Sequence, residues 1–141
     1  MKKQVRSILS IAALIAVFSV FLVACGGGPA KINATLTDYE IVLSASTAKA
    51  GEITFHVQNN ADATVHEFVV VQTDTAAADL PVGADLLVDE SQFTPIDEIE
   101  DLEAGDSADL TVTLAAGHYV ILCNIAGHYQ LGMHTDFNVT P

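Results

Sequence analysis

Gly117-His118-Tyr119-Val120-Ile121-Leu122-Cys123-Asn124-Ile125-Ala126-Gly127-His128-Tyr129-Gln130-Leu131-Gly132-Met133 reads as a short strand that opens into a loop carrying three unlike metal donors. Side chains alternate across a strand with period two, so Tyr119, Ile121 and Cys123 share one face as an inward row. Cys123 closes that row where the chain leaves the strand. His128 and Met133 follow at Cys-x4-His-x4-Met spacing, which puts a thiolate, an imidazole and a thioether within eleven residues. Soft sulfur donors select copper, and imidazole serves both of its oxidation states. Two His and one Cys in a plane with a weak axial Met form the geometry of single-electron copper centres. One more His is required.

His66-Glu67-Phe68-Val69-Val70 supplies it. There the inward row is His66, Phe68 and Val70, so His66 begins a core-facing strand. A His at one strand's start and a Cys at another's end meet at one pole of a sandwich in either of two cases. The strands are antiparallel neighbours, or they face each other across the sheets. The expected metal ligands are therefore His66, Cys123, His128 and Met133, and the expected cofactor is one copper ion cycling between Cu(II) and Cu(I). The other histidines read as surface residues. His56 occupies an outward position, His118 lies on the face opposite Cys123, and His134 points away from Met133.

Outward from this core the chain keeps the same style. No segment holds a helical period over the ten or so residues a helix needs. Short β-branched or alternating runs recur between turn residues, at 32–37, 39–44, 53–58, 66–72, 109–114, 119–123 and 134–140. Ala50-Gly51 and Ala116-Gly117 mark tight turns, and Asn59-Asn60-Ala61-Asp62 a longer one. About seven or eight such strands predict an all-β fold, a two-sheet Greek-key sandwich. Residues 73–107 break the pattern with Ala76-Ala77-Ala78, two prolines and a dense run of acids. They read as a long excursion with one helical turn near 84–88.

The N-terminus is of another kind. Lys2, Lys3 and Arg6 precede an apolar run from Ile8 to Val23, which describes a secretory signal rather than a core helix. The run ends Leu22-Val23-Ala24-Cys25 and resembles a bacterial lipobox. Residues 1–24 are then a cleaved lipoprotein signal, Cys25 carries the lipid, 25–30 form a tether around Gly26-Gly27-Gly28-Pro29, and 31–141 form the domain. Cleavage leaves all eighteen acids against two bases, Lys31 and Lys49, a formal charge of −16. That balance excludes nucleic acid as a partner and disfavours anionic lipid without the anchor. With Cys25 acylated, Cys123 is the remaining thiol, so no intramolecular disulfide can form.

Residues 31–141 resemble the cupredoxins of the plastocyanin/azurin superfamily. The resemblance rests on Gln58-Asn59-Asn60 through His66-Glu67-Phe68-Val69-Val70 and on the stretch from Gly117 to Met133. It implies an eight-stranded sandwich, one type 1 copper, and electron transfer through the edge of the exposed loop His, here His128. Glu67 departs from the pattern: many relatives carry Asn there, whose side chain braces the two ligand loops. The loop spacing is longer than plastocyanin's and nearer that of rusticyanin.

Three functions suit such a chain. A carrier, exported and lipid-anchored at the bacterial membrane surface, meets redox proteins transiently near His128 as a monomer. The acid-rich excursion either steers a basic partner or is simply a solvated loop. A protein that buffers or delivers copper at the membrane is the alternative, but delivery favours open Met- or His-rich sites, and Met133 is the one methionine besides the initiator. A copper enzyme of the oxidase or nitrite reductase kind needs a second copper site, for which a domain of this size lacks room.

Overall fold

From Gly51 to Gln58 apolar and polar residues alternate without a break; Ile53, Phe55, Val57 and, after them, Asn59 are buried, while Glu52 and His56 face out. The same alternation shapes most of the chain in the computed structural model, which describes residues 28–141. The expected signal and Cys25, the expected site of the lipid, lie outside the described residues. Nine strands follow in order: β1 (Ala30–Thr37), β2 (Glu40–Leu43), β3 (Thr47–Lys49), β4 (Gly51–Asn59), β5 (His66–Gln72), β6 (Thr94–Leu102), β7 (Ser107–Leu114), β8 (Gly117–Leu122) and β9 (His134–Thr140). One sheet runs β2-β1-β4-β7 and the other β3-β9-β8-β5-β6. Two pairings are parallel, β1 with β4 and β3 with β9.

The inner faces meet in one apolar core. Phe55 anchors it, with ring centroids 5.4 Å from Phe68 and 5.3 Å from Phe137, so β4 of one sheet grips β5 and β9 of the other. Tyr119, Ile121 and Cys123 point into this core with Phe68 and Val70, as alternation requires. Burying a large apolar side chain contributes about 1.5–3 kcal/mol, so these rows decide which way each strand faces.

Two expectations need correction. Residues 94–102 are a strand, not part of an irregular excursion. Their apolar residues Ile96, Ile99 and Leu102 recur every third position because register shifts break the pairing with β5 twice. A bulged edge strand loses its period-two signature. The helical turn expected near 84–88 is absent. That segment is a tight reversal closed by Gly83 N–H to Leu87 O at 2.8 Å, with Leu86 at φ 65°. Short 3-10 turns lie elsewhere, at Ala77–Asp79 and Glu90–Gln92. The three-residue β3 is too short to carry a periodic signal of its own.

The excursion has a structural task of its own. Val69, Val71, Val120 and Leu122 are the outward residues of β5 and β8, and they are buried under Ala77, Leu80, Val88 and Tyr129. This second layer makes both faces of the central strands apolar, so β5 reads Phe68-Val69-Val70-Val71 without a polar break.

Candidate metal centre

His66 opens β5 and Cys123 follows β8, and these strands are antiparallel neighbours paired Val69 to Leu122 and Val70 to Ile121. The pairing carries both side chains to one end of the sandwich. His66 Nδ1 lies 3.3 Å from His128 Nδ1, Cys123 Sγ lies 3.4 Å from His128 Nδ1, and Sγ lies 3.9 Å from His66 Nδ1. His66 and Cys123 are fully buried and His128 half-buried.

Met133 is fully buried as well, and its backbone closes the loop: its N–H donates to His128 O at 3.2 Å, and its carbonyl accepts from Cys123 N–H at 3.0 Å. Gly127 at φ 85° and Gly132 at φ 118° allow the tight winding between them. A Cβ on Gly132 would stand 3.0 Å from the Tyr39 carbonyl, so only Gly lets the β1–β2 turn approach.

The triangle is a metal's triangle. Three donors bound at about 2.0–2.3 Å around a planar centre stand about 3.5–3.8 Å apart, and the three separations here bracket that range. Burial holds His66 and His128 below the usual imidazole pKa, and in His66 the neighbouring His128 adds to it. Both rings are thus neutral, with lone pairs to offer. Burial pushes the Cys123 thiol up, and the amides of Glu67 and Ile125 pull it part of the way back. The Glu67 N–H reaches Sγ at 3.3 Å. A metal would displace the thiol proton and be bound as the thiolate complex. On the far side of the ring, His66 Nε2 is buried without a hydrogen-bond partner.

The other histidines stay apart from this triangle. His56 Nδ1 meets Asp109 at 2.6 Å, His118 Nε2 meets Asp136 at 2.9 Å, and His134 packs on Tyr129 with centroids 4.7 Å apart. His118 and His134 are half-buried rather than fully exposed.

Three further residues escape a reading of the sequence. Asn59 ends the inward row of β4, and its carboxamide donates to Thr64 O and Leu102 O, both at 2.8 Å, and accepts from Ala61 N–H at 3.0 Å. It thereby fixes the turn that delivers His66. An Asn in an apolar row is the available signal. Asn124 bonds outward to the excursion. Tyr39, in a left-handed conformation at φ 73°, sets its ring edge-on to His128 with centroids 6.0 Å apart. Tyr39, Leu86 and Leu131 are large apolar residues left exposed. Tyr39 touches His128, Leu131 follows it in the same loop, and the Leu86 carbonyl accepts from Gly127 N–H at 3.0 Å.

Among solved structures, auracyanin of Roseiflexus castenholzii is 25% identical, covers 82% of this chain and all of its own, and superposes with a TM-score of 0.60. Auracyanin A of Chloroflexus aurantiacus, a blue copper protein, is 22% identical over 80% of this chain and all of its own, with a TM-score of 0.58. Rusticyanin of Thiobacillus ferrooxidans shares the fold at 16% identity, over 82% of this chain and 79% of its own, with a TM-score of 0.61. No curated protein matches the sequence. The sulfocyanin (SoxE) domain model matches residues 16–141. With a cupredoxin sandwich and a donor set that takes one copper ion, this chain belongs to the sulfocyanin domain family.

Proposed function

We propose that the domain is a one-electron carrier whose single type 1 copper would be held by His66, Cys123, His128 and Met133. The observation that carries this reading is the convergence of two Nδ1 atoms and one Sγ, 3.3–3.9 Å apart, at the end of two paired strands. Bound copper supplies reversible one-electron exchange. The chain's own residues do the rest. The neutral imidazoles present their lone pairs, the Glu67 and Ile125 amides support negative charge on Sγ, and the apolar core excludes water from three of the four donors. His128 alone reaches toward solvent, so its ring is the point at which an electron enters or leaves.

The exposed Tyr39 ring beside His128, with exposed Leu86 and Leu131 on segments bonded to or within the same loop, offers apolar surface that suits a small and transient contact with a redox protein. We read the protein as a carrier rather than an enzyme because four donors leave no open position for a substrate. Buried donors also oppose the rapid metal exchange that delivery needs. Export, lipid attachment at Cys25 and action as a monomer belong to the same proposal, supported by the lipobox and the tether that follows it. Among the described residues no helix is long and apolar enough to cross a membrane.

The deciding experiment is the visible spectrum of the copper-loaded domain. An intense thiolate-to-copper band, bleached by reduction and absent from Cys123→Ala, is the expected result. A colourless protein that keeps its copper affinity after that substitution would refute it. Incorporation of a fatty-acid analogue into the wild type but not into Cys25→Ser tests the anchor.

A further inference from the structure

The loop from Cys123 to Met133 is tied to the excursion at three points, and the strongest lies directly beside Cys123. Asn124 Oδ1 accepts from Val88 N–H at 2.8 Å; Asn124 Nδ2 donates to Val88 O at 3.0 Å and to Glu90 Oε1 at 2.6 Å. A carboxamide has one acceptor oxygen and two N–H donors, and here the oxygen and the nitrogen are both turned on one short segment. Two further ties flank His128. Gly127 N–H donates to Leu86 O at 3.0 Å, and the Tyr129 hydroxyl donates to Ala77 O at 2.6 Å while accepting from Leu80 N–H at 2.9 Å. Glu67, next to His66, contributes its backbone N–H to Sγ; no side-chain bond from it to the loop is present among the described residues.

We propose that Asn124 is a positioning residue of the metal centre, clamping the Cys123–His128 separation against Val88 and Glu90 from outside the sandwich. The proposal rests on the copper reading above for its effect on electron exchange, though not for the clamp itself. Every bond in the clamp joins protein groups, so it stands with the metal bound or absent. Copper(I) and copper(II) favour different geometries, and exchange is fast where the donors move little between them. The segment outside the core restrains from the other side a loop that the core holds at Cys123, Ile125 and Met133.

The test compares Asn124→Ala, Asn124→Asp, Glu90→Gln and the pair Asn124→Asp/Glu90→Gln in the full domain. In the metal-free protein, amide hydrogen exchange at residues 125–129 reads the clamp directly. In the copper-loaded protein, electron self-exchange and the thiolate band read its consequence. Groups that orient metal ligands typically change affinity or activity about 10–100-fold when removed. Asn124→Ala is therefore expected to speed amide exchange and slow self-exchange, each by about tenfold or more. Asn124→Asp sets a carboxylate against Glu90 and should do the same. In the pair, the carboxamide introduced at position 90 can donate to the carboxylate introduced at position 124, while Val88 O stays without its donor, so both readouts should return part of the way, above Asn124→Asp alone. Glu90→Gln alone should stay near wild type because its oxygen still accepts. The rescue pair decides the matter even if Asn124→Ala does not fold. A lower unfolding midpoint with wild-type self-exchange, band and amide exchange would overturn the proposal, as would failure of the pair to rescue. Were the wild type to show no thiolate band, the copper reading would fall while the amide exchange still judged the clamp.

Discussion

Asn59 and Met133 show what single side chains contribute on the two sides of the centre. Asn59 is buried with three hydrogen bonds, and its loss removes the partner it gives to the Ala61 N–H and to the Thr64 and Leu102 carbonyls. Unsatisfied buried groups cost about 1–3 kcal/mol each. Asn59→Ala should therefore destabilise by about 3 kcal/mol, seen as a lower urea midpoint with an unchanged slope. Met133 stands at the other extreme. An axial thioether binds weakly and tunes potential more than affinity. Met133→Leu roughly keeps volume, so the fold and the colour should persist while the reduction potential rises, because losing an electron-donating sulfur disfavours copper(II). Voltammetry of the variant checks this, and loss of copper instead would make Met133 a primary ligand and favour the delivery reading. Donor residues announce themselves in a sequence through type and spacing, which is why His66, Cys123 and His128 are legible and do converge. Asn59 and Asn124 are not, since an Asn's role depends on which segment faces it.

Strands β4, β5 and β8 are legible because each has an unbroken inward row. β6 is hidden, for its register shifts and its position at a sheet edge leave acids where a central strand would carry alternation. Those acids crowd one another. Burial first, then Glu90, Glu100 and Asp97, raise the Glu98 pKa above its ordinary 4.5. The charged form is thus disfavoured by folding: the penalty is present above the folded pKa and relieved as pH falls through it toward 4.5. Glu98→Gln should make the metal-free domain more stable near neutrality, with the gain shrinking to nothing by about pH 4. Thermal midpoints across that range would show it, and a gain that grew toward acid would contradict the sign. Because Glu98 is exposed, the effect is small. The excursion before β6 is legible as an irregular segment but not as a lid, because the apolar residues that bury the outer faces of β5 and β8 are scattered between turns.

Charge is distributed unevenly over the whole molecule. Lys31 lies in β1 and Lys49 in β3, both near the pole where Gly28 and Pro29 meet Gly51 and Glu52. Around Glu67, beside the metal centre, Glu98, Glu90, Asp101 and Glu100 all act in one direction. A field of one sign changes association rates by about 10–1,000-fold and weakens with salt. The copper-loaded domain should therefore react faster with a small cationic oxidant than with an anionic one of equal driving force, by about tenfold at low salt. Added salt should slow the first reaction and speed the second in stopped-flow measurements. Equal rates at all salt concentrations would mean that the acids only solvate the surface.

The parallel pairing of β1 with β4 also sets a direction of travel. Ala30 pairs with Ile53 and Leu36 with Asn59, and Ala50 N–H donates to Thr140 O at 2.7 Å. The first described residues and the end of β9 therefore leave from the same side, about 20 Å of strand length from His128. Lipid at Cys25 would make that side the underside. The carrier would then glide in two dimensions with its redox edge facing up, suited to partners whose own centres stand clear of the bilayer at similar height. Moving the lipid to a tail after Pro141 should preserve that attitude, whereas a graft into the loop bearing His128 would turn the edge into the lipid and silence it.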